Sequence, residues 1–138
     1  MRERIDEKTE EIKKYLEELI SIFPISLEEY LKDFKTKAAC ERYFEKIVEA
    51  IIDLAFFIIR EKEFQIPEDE ESSFQILFKE NVISEVLAKK LKAAKGMRNI
   101  IAHEYGSIDN ELVFHSVTEE LNDDEDFIKH VEEFLGEK

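Results

Sequence analysis

Apolar residues recur at three- and four-residue intervals through most of the chain, and that period predicts helices throughout. Between residues 3 and 23, Ile5, Ile12, Leu16, Leu19, Ile20 and Phe23 share a face among charges, so an amphipathic first helix should stop near Pro24. Ser26, followed three residues later by Glu29, has the form of a capping box, which starts a second, short helix at about Leu27 with a bend near Asp33 to Thr36. From Lys37 to about Lys62 the chain is apolar on most of a helical circumference, as expected of a central or interfacial helix. Its polar positions Arg42, Glu49, Asp53 and Arg60 fall on one stripe. That stripe is either solvated, or it turns Glu49 and Asp53 toward a basic helix later in the chain.

FQIPEDEESSF, residues 64–74, reads as a loop between two halves of one domain, because a proline meets a run of acids and serines. Helical spacing resumes with Phe74, Ile76, Leu77 and Phe78, breaks near Asn81, and continues from Ser84. A last helix from about Asn110 carries Leu112, Val113, Val117 and Leu121, meets the polar break NDDED, and continues or restarts with Phe127, Val131, Phe134 and Leu135. The pattern predicts an all-α fold, an up-and-down bundle of four or five helices spanning residues 1–138 as one domain. Three glycines and two prolines leave little turn chemistry for a sheet, which strengthens that class.

Charge narrows the function. A net charge of −14 disfavours broad contact with nucleic acid, whose phosphates bind Lys and Arg. One local exception stands out: Val86 to His103 holds Lys89, Lys90, Lys92, Lys95 and Arg98 and no acid. No stretch is apolar enough for a membrane span, and the charged start lacks the form of a secretory signal, so a cytoplasmic protein is expected. The single cysteine, Cys40, has no partner for an internal disulfide and reads as a small buried residue. His103, His115 and His130 lack metal-ligand spacing, and His115 and His130 read as helix-surface residues.

The chemistry concentrates in GMRNIIAHEYG, Gly96 to Gly106. On a helical wheel Met97, Ile100 and Ile101 face the core, while Arg98, Asn99, Ala102, His103 and Tyr105 fill the opposite arc. Lys92 and Lys95 join that arc if the helix runs unbroken through Gly96. Positive groups around the small Ala102 suit an anion. Arg98 and His103 stand about 7.5 Å apart along a regular helix axis and do not pair closely. Asn99, at i,i+4, can orient the imidazole. Two copies of this face meeting across a two-fold axis would complete a pocket more readily, which motivates a homodimer. Gly106 supplies the helix stop, leaving Tyr105 in the last turn. A histidine in a last turn is also a common dipole-stabilised feature with no role in chemistry.

RNIIAHEY resembles the signature of the HepT toxins of the HEPN superfamily, with Arg98, Asn99, His103 and Tyr105 in the expected places and no gap. Chain length, helical plan, the EAIID segment before the motif and the helix after it agree. The resemblance implies a metal-independent ribonuclease without a cofactor, acting as a dimer with both motifs in one cleft. Its partner would be an MNT-family nucleotidyltransferase antitoxin that binds the toxin or attaches nucleotidyl groups to the motif tyrosine, here Tyr105. Under this reading His103 is the acid/base, Arg98 the phosphate clamp, Asn99 a positioning group, and Lys92 and Lys95 hold flanking phosphates of RNA. Two other classes compete: a non-catalytic module that binds a nucleotide or a partner enzyme, and a plain structural bundle with the apolar helix as its dimer seam.

Overall fold

The computed structural model of the protein describes residues 1–103 and 109–136, which form six helices: α1 (Arg2–Ile22), α2 (Leu27–Lys32), α3 (Phe34–Glu61), α4 (Glu70–Lys79), α5 (Glu85–His103) and α6 (Asn110–Phe134). On α1 the buried positions Ile5, Thr9, Ile12, Leu16 and Leu19 alternate by four and three residues, which keeps one stripe against α3. Thr9 is tolerated there because its hydroxyl donates to the Ile5 carbonyl at 2.8 Å. The predicted start of α2 is met: the Glu29 amide donates to Ser26 Oγ at 3.2 Å, and Glu29 Oε2 accepts from the Ile25 amide at 3.4 Å.

The apolar helix is the hub. Phe44, Ile47, Val48, Ile51, Ile52, Leu54 and Ile58 of α3 are buried, and α1, α2, α4 and α5 all pack on it. It begins at Phe34, earlier than the hydrophobic run suggests, because Asp33 caps it. The Asp33 carboxylate accepts from the amides of Lys35 and Thr36 and from the Thr36 hydroxyl at 2.8 Å. Those bonds, the hydroxyl first, hold its acidity below the usual carboxylate range. Cys40 is buried in this helix, and burial pushes its thiol up to about 11.

Two segments differ from the sequence reading. Residues 70–74 are not loop but the first turn of α4. Asp69 accepts from the Ser72 amide at 2.8 Å while Ser72 Oγ accepts from the Asp69 amide at 3.0 Å, so the acids and serines are a helix start. The NDDED stretch does not interrupt α6, which runs continuously with Val113, Val117, Glu120, Asp124, Phe127 and Val131 along one buried stripe. Two core positions of that stripe are therefore held by carboxylic acids. Asn81 ends the α4 turn in the left-handed region, φ 63°, where asparagine is tolerated.

Glu120 and Asp124 lie one turn apart with their carboxyls against each other, and Glu120 Oε2 and Asp124 Oδ1 accept from no other group. Burial, then the neighbouring carboxylate, drives Glu120 well above its ordinary value, and burial raises Asp124 to about 7. The two carboxyls therefore retain protons that the unfolded chain gives up. A raised native value favours folding fully below the unfolded value of 3.8 and loses that contribution as pH climbs toward about 7. Urea unfolding should show the wild-type chain weakening across this window. Glu120→Gln, whose amide can donate to Asp124, should gain about 1–2 kcal/mol over the wild type at pH 8 and little at pH 5. A difference that is flat with pH would mean the pair does not titrate.

Candidate functional site

The motif lies on the second half of α5, which runs unbroken through Gly96 as the charged arc requires. Met97 and Ile101 are buried and anchor the helix, whereas Ile100, placed in the core by the wheel, is 41% exposed. The reason is that the core-facing arc of α5 is centred on Leu87, Leu91, Ala94, Met97 and Ile101, which turns Ile100 outward beside Val86, Ala93 and Gly96. The outer face of α5 thus carries an exposed line of apolar and small residues with Lys89 among them. His103, the last residue of the helix, is exposed near its end.

Arg98 is held rather than free. Its Nε and Nη2 donate to Asn99 Oδ1 at 3.2 and 2.9 Å, and Nη2 also donates to Glu70 Oε1 at 3.0 Å. Only 13% of its side chain is exposed. A guanidinium fixed by three charge-assisted contacts has lost most of its rotamer freedom before any ligand arrives. Asn99 spends its carbonyl on Arg98 and so aligns the guanidinium.

Most of the basic patch is paired within the fold. Lys95 Nζ sits 3.4 Å and Lys92 Nζ 3.8 Å from the Glu71 carboxylate, and Lys90 Nζ is 3.6 Å from Asp123 on α6. Of the five basic residues in this stretch, four have an acidic partner at hand. Glu70 and Glu71, read as loop acids, are therefore part of the site. The Asp69–Ser72 spacing followed by Phe74 is the signal that places them at the start of a helix, α4, whose first turn meets the motif helix. An anion approaching Arg98, Lys92 and Lys95 must compete with these two carboxylates, which are themselves about half exposed and can swing into water.

Glu49 and Asp53 do not face this helix. Both are exposed and turn toward α1, where Asp53 Oδ2 lies 3.7 Å from Lys8 Nζ, so the stripe on α3 is the solvated one. His115 and His130 sit on α6 with i,i+4 acids, Glu111 at 3.9 Å and Asp126 at 3.1 Å, as surface histidines do. Tyr105 and the Gly106 stop lie outside the described residues. Among the described residues, no helix is long and apolar enough to cross a membrane, and no three His, Cys, Asp or Glu side chains gather as metal ligands do.

Comparison with known proteins is consistent across sequence and structure. Residues 12–131 match the family described as HepT-like, ribonuclease HepT-like. A Shewanella oneidensis protein named mRNA nuclease HepT is 33% identical over 100 residues, covering 72% of this chain and 75% of its own length. An Aphanizomenon flos-aquae protein named tRNA nuclease HepT is 28% identical over 131 residues, 95% of this chain and 89% of its own. The solved structure of the tri-AMPylated Shewanella oneidensis HEPN toxin in complex with MNT antitoxin superposes with a TM-score of 0.87 at 29% identity, over 96% of this chain and 98% of that one. With the all-α bundle, the motif helix and these matches together, the chain belongs to the HepT-like ribonuclease family.

Proposed function

We infer that the chain is the ribonuclease toxin of a toxin–antitoxin pair, acting on RNA in the cytoplasm without a metal ion. The observation that carries this reading is the fixed Arg98 guanidinium, set by Asn99 and Glu70, on the same helix as an exposed His103. RNA offers a 2′-hydroxyl beside each phosphate. His103 takes the 2′ proton, the 2′-oxygen bonds to phosphorus, and Arg98 neutralises charge on the phosphoryl oxygens as the bond to the 5′-oxygen breaks. A second imidazole returns a proton to the leaving oxygen. That second group is supplied if the exposed strip Val86, Ala93, Gly96 and Ile100 packs on its copy in a homodimer, since His103 lies at the end of the same strip. Lys92 and Lys95 hold flanking phosphates once Glu71 releases them.

The partner is an MNT-family nucleotidyltransferase antitoxin that occludes this face or modifies Tyr105. A second reading draws on the paired basic residues: because Arg98, Lys92 and Lys95 already have carboxylates, the chain is a non-catalytic module that binds its nucleotidyltransferase partner.

Incubation of the purified chain with tRNA and total RNA separates the two. His103→Ala and Arg98→Ala should each lower cleavage by at least about 100-fold with an unchanged helical spectrum, the usual magnitude for loss of an acid/base or oxyanion partner. Cleavage that survives both substitutions removes the catalytic assignment. Glu70→Gln should tighten RNA binding, because the phosphate no longer competes with a carboxylate for Arg98. Ile100→Glu should shift sedimentation from dimer to monomer and abolish cleavage together. After co-expression with the nucleotidyltransferase, intact mass should rise in steps of about 329 Da, the increment of phosphoryl transfer from ATP that leaves AMP on a hydroxyl. Those steps should vanish in Tyr105→Phe.

A further inference from the structure

The catalytic reading makes no use of the corner where α1 hands over to α2 and α3, and exposed apolar side chains gather there. Ile22, Ile25, Leu31 and Phe34 are 37, 92, 50 and 75% exposed. Ile22 and Pro24 wall a groove of about 350 Å³ that Glu29, Lys32, Asp33 and Thr36 complete. The corner is nonetheless firmly seated. Tyr30 of α2 is fully buried, its hydroxyl donates to Glu41 at 3.3 Å, and its ring lies 5.2 Å from that of Phe114 on α6. Phe23 stacks on the same Phe114 ring at 5.3 Å. A short helix turned with Tyr30 inward has to present Leu31 elsewhere.

This corner stands at the end of the bundle where the motif helix finishes. Phe44 of α3, Met97 of α5 and Ser116 of α6 line one cavity and mark a common level. From there α5 ends at His103 and α6 begins at Asn110, each about 9 Å further along its axis at about 1.5 Å per residue. Phe34 lies about 15 Å from Phe44 by the same rise, and the contact of Tyr30 with Phe114 shows that the direction is shared. Leu112, half exposed on the first turn of α6, adds an apolar side chain at this end.

We propose that this corner is the docking surface for the nucleotidyltransferase antitoxin, which seats an apolar side chain in the groove and covers Leu31 and Phe34. The assignment rests on the toxin–antitoxin reading, because an enzyme that modifies Tyr105, two residues after His103, has to grip the chain at this end. The charges of the corner are already satisfied. Lys32 pairs with Glu28 at 3.0 Å, the Asp33 carboxylate caps α3, and Glu29 accepts from the Ile25 amide. What the surface offers a partner is therefore apolar area, as protein contacts use. RNA gains little from it, since bases stack on aromatic rings and find none in Ile25 or Leu31. A stable interface takes about 800 Å² from each side, so the contact runs on from the corner over the first turn of α6.

Calorimetric titration of the full chain with the purified MNT-family nucleotidyltransferase tests the assignment, with RNA cleavage by the free chain read in parallel. Leu31→Ser combined with Phe34→Ser should weaken the complex by at least about tenfold, as expected when two apolar contacts are lost. The helical spectrum and RNA cleavage should stay those of the wild type, because both side chains are exposed and outside the motif helix. Ile25→Ser, outside any helix, should weaken the complex in the same direction. Ile66→Ser, 85% exposed beside Ile59 near the other end of α3, should not change it. Wild-type affinity in the double variant would overturn the proposal and leave the toxin–antitoxin reading standing. Normal affinity with impaired cleavage would give the surface to RNA, and altered sedimentation of the free double variant would give it to a second copy; either result overturns the docking assignment. A wild-type chain that does not bind the nucleotidyltransferase removes the toxin–antitoxin reading and this proposal with it.

Discussion

The burial of α3 on most of its circumference is the constraint from which the arrangement follows. A 28-residue helix with Phe44, Ile51, Leu54 and Ile58 all hidden cannot exist alone in water, and α1, α2, α4 and α5 are placed by the need to cover it. That covering sets α4 beside α5, and hence Glu70 beside Arg98. The orientation of the guanidinium is thus fixed at a distance by apolar packing. Local hydrogen bonds then select among the few positions that packing allows.

In the resting subunit Arg98, Lys92 and Lys95 are held against Glu70 and Glu71, three positive groups against two negative, so most of the local charge is paired within the fold. The −14 chain thereby avoids a standing positive surface that would collect nucleic acid indiscriminately.

Much of this was legible in the sequence because periodicity and capping are local. Ser26 with Glu29 located the start of α2, the apolar run located α3, Asn81 marked the turn before α5, and RNIIAHEY singled out the motif helix. What was not legible depended on tertiary placement. Reading acids as exposed turned the first turn of α4 into loop and made a break of NDDED, although Asp124 sits at a core position of an uninterrupted α6. Ile100 was assigned inward by a wheel that knew the helix phase but not which neighbours would cover it. The Arg98–Glu70 pair spans 28 residues, and nothing in local spacing announces it.

Gly96 carries a quieter consequence. A methyl group added there would meet nothing within 4 Å, so the subunit has no internal steric reason for glycine in mid-helix. Relative to alanine it loosens α5 by about 1 kcal/mol. The backbone is left bare between the residues that align the guanidinium and the solvent-facing flank of the same helix. Two residues before Arg98, the motif helix therefore holds its shape through its buried neighbours Ala94 and Met97 and not through the intrinsic preference of the residue at that turn.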